Sequence, residues 1–227
     1  AMKQLMPSVP VSEKPQWPKI FSGQYGAEIS ALMLSKEPLV HSSLWGGDLE
    51  AFIFQGSARG LFRKKQLLFS VADTSIYRLG KKVPAGIILG ARGPYGIFAA
   101  DVDTPLNKWF RKVYSDRYSV PPVGGSYQAA QGVLAAKYAY DKAAAMNGGK
   151  FPTTEQVIAA LEGATYQSIS TKVHMNRSKV HQAATEHMIG VLEWDKEAGE
   201  PVMTKVTRFA ADCVMPPAGI NGTKWLK

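Results

Sequence analysis

The stretch from Leu39 to Phe62, LVHSSLWGGDLEAFIFQGSARGLF, constrains the fold of this chain more than any other. The apolar-leaning run Leu39 to Leu44 has the length of a buried strand. Trp45-Gly46-Gly47-Asp48 reads as a tight turn, and Leu49 onward as an amphipathic helix ending at Gly60. In open α/β sheets, ligands sit in the crevice outside the carboxyl ends of the strands, where Ser42, Ser43, Trp45 and the two glycine amides would project. A large aromatic in a glycine-bordered turn is a candidate ligand platform; the plainer alternative is that Trp45 caps the core beneath the next loop.

The pattern then recurs. Leu67, Leu68, Phe69 and Val71 read as a second buried strand, Asp73-Thr74 as a helix start, and Ile76 to Leu79 as a short helix closed by Gly80. A third apolar run, Ala85 to Ala91, leads into Arg92-Gly93-Pro94-Tyr95, whose glycine and proline suit a change of direction. Upstream, Tyr25 to Lys36 has helical period through Ile29, Leu32 and Met33. Val9 to Val11 reads as a short exposed strand, and Met2 to Met6 as the last turn of a helix starting before residue 1. This alternation of strands and helices implies α/β architecture: a parallel sheet flanked by helices and joined by right-handed crossovers.

From Asp101 the pattern becomes helical. Thr104 and Pro105 suit the N-cap and first position of a helix whose expected buried stripe is Leu106, Trp109, Phe110, Val113 and Tyr114. An alanine-rich helix from Ser126 to about Met146 follows. A third helix opens with a Thr153/Gln156 capping box, has Val157, Ile158 and Leu161 as its expected buried face, and stops at Gly163. Beyond it, Tyr166 to Met175, Met188 to Trp194 and Val202 to Phe209 alternate as strands do, the last two forming a hairpin around Asp195 to Gly199. The tail after Ala211 reads as irregular.

Several chemistries lack their residues. No G-x-S-x-G elbow or G-x-G-x-x-G loop occurs, and Asn147-Gly148-Gly149-Lys150 is followed by Phe151 where a phosphate loop needs Ser or Thr. His174, His181 and His187 match no zinc spacing, and the carboxylates form no recognisable acid/base pair. The net charge of +9 admits a nucleic-acid reading, but the cations are scattered and no nucleic-acid motif accompanies them. Apolar runs fall short of the ~20 residues of a membrane span, and the first ten residues lack a signal-peptide core, so either the protein stays where it is made or its export signal lies outside this stretch. Single Cys213 cannot form an internal disulfide. The balance favours binding over catalysis.

The ordered succession KEPLVHSSLWGGDLEAF, SARGLF, QLLFSVADTSIYRLG, AGIILGARGPY, DTPLNKWFRKVYSDRYSVPP, GGSYQAAQGVLAAKYAYDKA, TTEQVIAALEG and KVHMNRSKVHQA resembles the solute-binding proteins of branched-chain amino-acid ABC transporters, the periplasmic Leu/Ile/Val-binding family of type I fold. The resemblance implies a non-enzymatic periplasmic protein without cofactor or metal. It would bind amino acids or similar small carboxylates and amides by closure of two lobes, and pass them to a membrane permease.

It also implies an organisation: residues 1–92 as a lobe 2 segment, 93–163 as a hinge crossover with helices that normally pack on lobe 1, 164–211 as a return to lobe 2 with a hairpin, and 212–227 as a tail. The three-layer fold would be incomplete, lacking most of lobe 1. The ligand-binding positions it implies are Ser43, Trp45 and Gly46 at the first strand end, Asp73 near a substrate ammonium, Tyr95 at the crossover and Tyr127 near the cleft mouth. Family members often carry a further aromatic where this chain has Val123 and Gly124. Without a first lobe, helices over 104–162 would bury their apolar stripe by self-association or rearranged packing. A ligand-sensing remnant of the same fold and a basic nucleic-acid-associated protein are the competing readings.

Overall fold

Three short strands pair in parallel and in chain order: β1 (Leu39–Ser42), β2 (Gln66–Phe69) and β3 (Ile88–Ala91). They belong to a computed structural model that describes residues 6–175, 182–217, 219–220 and 222–225. The described chain divides into two units, one running to Ala91 and including Met188–Thr207, the other comprising Arg92–His187 and the residues from Arg208 on. The expected helical turn at Met2 to Met6 lies largely outside the described residues.

In the first unit, helix α1 (Gly26–Leu34) precedes β1, and α2 (Gly46–Ala58) carries the chain from β1 towards β2. Gly60, at φ +75°, ends α2 in the left-handed conformation that favours glycine, and one turn, α3 (Leu61–Lys64), follows. Leu49, Phe52 and Ile53 on α2 are buried, as are Ile29 on α1 and Leu67 and Phe69 on β2. Edge-on ring contacts join Tyr25 to Phe52 at 6.0 Å and Phe52 to Phe69 at 6.4 Å. After β2 come a 3₁₀ turn (Ala72–Thr74) and the short helix α4 (Ile76–Leu79), capped at Gly80.

The sheet is mixed rather than wholly parallel. Strand β7 (His187–Trp194) lies antiparallel to β3, pairing Ile88 with Val191 and Ala91 with Met188, and β8 (Pro201–Phe209) follows it at the edge, giving the order β1-β2-β3-β7-β8. β7 arrives without a βαβ crossover, so no connection obliges it to run with β3. Its Met188 and Leu192 are buried at period two, and the Trp194 indole N–H donates to the Val83 carbonyl at 2.9 Å. Val9 to Val11 forms no strand; Pro7 and Pro10 beside it withhold the N–H groups a ladder needs.

The second unit contains α5 (Pro105–Tyr118), α6 (Gly124–Met146) and α7 (Thr154–Leu161), with a small antiparallel sheet of β4 (Thr165–Gln167), β5 (Lys172–Met175) and β6 (Ala183–Ala184). Residues 164–187 belong to this second unit, and Met188–Thr207 to the first. Thr104 caps α5 by accepting from the Asn107 N–H, and the Thr153/Gln156 capping box forms as expected.

The buried faces differ from the apolar stripes. On α5, Leu106 and Phe110 pack inward, but Trp109 is 57% and Val113 45% exposed, while Asn107 is 1% exposed. The Asn107 amide donates to the Ala99 carbonyl at 2.8 Å and the Val102 carbonyl at 2.9 Å, and its oxygen accepts from the Tyr127 hydroxyl at 2.9 Å. Those three bonds draw a polar residue inward and rotate the apolar stripe partly to the surface. On α7, Ala160 is buried and Ile158 exposed, because α6 meets α7 with small residues, Ala139 and Ala143 being its buried alanines. The tail is not wholly irregular: α8 (Ala211–Val214) and α9 (Gly222–Trp225) are single helical turns.

Asn107→Ala removes the acceptor that Asn107 offers the Tyr127 hydroxyl and one of two donors to each of the Ala99 and Val102 carbonyls, which keep the Val102 and Thr104 N–H groups, so it should destabilise the fold by about 1–3 kcal/mol in urea unfolding. A loss within about 0.5 kcal/mol, the range of ordinary surface substitutions, would remove Asn107 as the organising contact of this unit.

Candidate functional site

The turn after β1 is shorter than the sequence suggests. Trp45 is itself the N-cap of α2, in extended conformation, and Gly46 to Asp48 already belong to the first helical turn. Gly46 sits at φ +55°, where an L side chain would be strained. Among the described residues no side chain caps this N-terminus, so its first N–H groups are available to an acceptor. A Cβ placed on Gly46 or Gly47 would meet nothing within 4 Å, and Trp45 is 63% exposed. Trp45 therefore does not cap the core. Ser43 is also exposed. Backbone amides, an uncovered indole and a hydroxyl thus share the carboxyl edge of β1.

Asp48 secures the outer side of this turn, its carboxylate accepting from the Phe21 N–H at 2.9 Å. On β2, Ser70 follows the strand and its hydroxyl lies 2.6 Å from His41 Nε2. Asp73 stands on the same edge of the sheet as Trp45, within the 3₁₀ turn, but it is only 7% exposed. It is held in the fold rather than displayed.

Tyr95 and Tyr127 belong to the second unit. Their rings stack at 5.6 Å, and Phe110 meets Tyr127 edge-on at 5.0 Å. Tyr127 is fully buried and lies one turn inside α6, not at its opening, which puts it in the core. Tyr95 is 4% exposed and donates through its hydroxyl to Gln131 Oε1 at 2.6 Å; burial raises its pKa above the ordinary phenol value. A Cβ on Gly93 would come within 2.5 Å of the Tyr95 ring, so the glycine is needed for this close approach.

Beside Tyr95 a cleft of about 510 Å³ opens within the second unit, lined among others by Arg92, Gln131, Thr185, His187 and Trp225. Arg92 and His187 were not singled out as a pair by sequence reasoning, being far apart in the chain. The usable signal was Arg92's place directly after β3, the strand-end position that favours ligands. Of the three histidines considered together, His181 lies outside the described residues and His174 Nδ1 is 2.8 Å from the Thr165 hydroxyl. The described residues contain no metal-holding cluster.

The exposed aromatic and the uncapped amides thus lie at the carboxyl edge of an α/β sheet, the edge at which ligands of such sheets sit. Residues 18–200 match the sequence profile of the family described as periplasmic binding protein, and the chain belongs to that family. Among solved structures, a solute-binding protein of an ABC transporter from Rhodopseudomonas palustris BisB5, in complex with 3,4-dihydroxybenzoic acid, has a TM-score of 0.67 at 18% identity, covering 83% of this chain and 49% of that one. A leucine-binding protein from Thermotoga maritima gives 0.61 at 14%, covering 85% and 50%. An ABC-type branched-chain amino acid transporter protein from Rhodopseudomonas palustris CGA009 gives 0.59 at 19%, covering 88% and 52%. These likenesses establish the type I fold, of which the chain spans about half the length found in those structures. Compared with curated protein sequences, the chain has no match.

Burial, and then the neighbouring Arg92 guanidinium, lower the His187 pKa from its ordinary 6.5. The unfolded chain therefore binds a proton at His187 that the folded state resists, and stability contributed at higher pH is lost as pH falls below about 6.5. His187→Gln should flatten the fall in melting temperature over that acid range; an unchanged pH profile would show that His187 does not couple to folding.

Proposed function

We propose that this chain is part of the solute-capturing component of an ABC importer, working in the periplasm and acting by binding rather than catalysis. Family membership supports that role. The observation that carries it is Trp45, an exposed indole joined directly to the uncapped amides of Gly46 and Gly47. An indole face takes an apolar or aromatic body, while a helix N-terminus takes an anion. Together they suit a small organic carboxylate, and the strand-end edge of the first unit would form one wall of the site that holds it. Ser43 would add a hydroxyl contact.

The ligand class extends beyond branched-chain amino acids to aromatic acids. Nothing among Ser43, Trp45 and Gly46 demands an ammonium, and Asp73, the residue that would hold one, is buried. Release would be to a membrane permease, the partner that such importers require. The exposed apolar residues Trp109 and Val113 on α5 and Val133 on α6 would be covered by self-association or by another part of the protein.

A thermal-shift panel of leucine, isoleucine, valine, benzoate and hydroxybenzoates tests the proposal, because a ligand bound only by the folded state raises the melting temperature in proportion to ln(1 + [L]/Kd). At least one carboxylate should raise it, and Trp45→Ala should weaken that binding by about tenfold or more, in keeping with a lost aromatic contact. A panel without any shift, or full retention of binding by Trp45→Ala, would contradict the proposal.

A further inference from the structure

The cleft of the second unit has its own recognition chemistry. Among the described residues that line it, the one charged side chain is the Arg92 guanidinium, accompanied by the half-buried imidazole of His187, and none is a carboxylate; the Glu186 carboxylate nearby is engaged by the Thr171 hydroxyl and by Arg208. Guanidinium groups hold carboxylates with paired, charge-assisted hydrogen bonds, and they do so most strongly where no competing acid is present. Arg92 is fixed at its base, since the Thr185 hydroxyl donates to the Arg92 carbonyl at 2.9 Å, and Thr185 itself is 7% exposed. The residue after β3 and the first residue of β7 therefore carry the cation and the imidazole. Burial first, and then the Arg92 guanidinium, lower the His187 pKa, as expected of an imidazole beside a cation.

The rest of the lining is apolar, amide or hydroxyl, the hydroxyls being those of Tyr95 and Thr185. Met215, Pro216 and the indole of Trp225 come from the tail, and Gln128 and Gln131 from α6. Gln131 is fixed by the Tyr95 hydroxyl, which occupies its amide oxygen and leaves the amide nitrogen as donor. The cleft volume of about 510 Å³ lies in the range of small-molecule sites, roughly 300–1,000 Å³.

We infer that the second unit holds a binding site for a small organic anion with a flat apolar body, in which Arg92 and His187 take the carboxylate and Trp225 and Met215 cover the body. The site is distinct in chain position from the Trp45 edge and does not depend on it. The tail segment, which carries four of the apolar lining residues, Val214, Met215, Pro216 and Trp225, thereby gains a role in ligand contact.

The test is a two-dimensional amide NMR titration of the chain with benzoate, and with benzamide as its uncharged analogue. Benzoate should move the backbone signals of Arg92, Thr185 and His187 and the Trp225 indole signal. Benzamide should bind at least about tenfold more weakly, as should benzoate to Arg92→Gln, the loss expected of a charge-assisted hydrogen bond. Arg92→Gln keeps the backbone carbonyl that Thr185 uses, and its unperturbed spectrum without ligand would confirm the fold. Benzoate shifts confined to Trp45, Gly46 and Gly47, no shift at the cleft, or equal binding by Arg92→Gln would each overturn this inference. Cleft shifts with none at Trp45 to Gly47 would instead count against benzoate as the ligand of the first unit.

Discussion

Parallel pairing of β1, β2 and β3 is the constraint on which the functional reading rests. A parallel strand cannot be joined to its neighbour by a tight hairpin, so each connection must carry the chain back along the sheet, here through α2 between β1 and β2. Every outgoing turn of that kind falls on the same carboxyl edge. The Trp45 and Asp73 turns therefore share one edge because of topology, although 28 positions separate them in sequence. What distinguishes the two is their packing: Gly46 at positive φ lets the chain enter α2 at once and leaves the indole outside, whereas the 3₁₀ turn folds Asp73 in.

The second unit is organised by a polar contact within an aromatic cluster. Tyr95, Tyr127 and Phe110 form the aromatic contacts of its core, and Asn107 and Gln131 each engage one tyrosine hydroxyl. Buried polar groups satisfied in this way tolerate few alternative arrangements. Gly93 contributes by being absent at Cβ, which allows the Tyr95 ring to lie against the backbone.

Much of this was legible in the sequence where the governing interactions are local. Apolar runs and glycine stops located β1, β2, α2 and α4, and the Thr153/Gln156 spacing located a capping box that forms. The order of motifs carried the family. Helix faces were less legible: the stripe on α5 placed Trp109 and Val113 inside because an apolar period cannot anticipate a buried asparagine. On α7 the inward position is Ala160, whose small size, not its hydrophobicity, suits close helix packing. The antiparallel entry of β7 and the meeting of Arg92 with His187 depend on pairings between segments nearly a hundred residues apart, for which the sequence has no local signal.

The central claim is that the β1 edge receives a carboxylate solute, and a crystal structure of the chain with the most stabilising acid tests it most directly. The account predicts the ligand's apolar body against the Trp45 indole, within the roughly 4.5 Å of a van der Waals contact, and its carboxylate accepting from the Gly46 or Gly47 amide. A bound acid found elsewhere, with Trp45 and these amides still facing solvent, would contradict it.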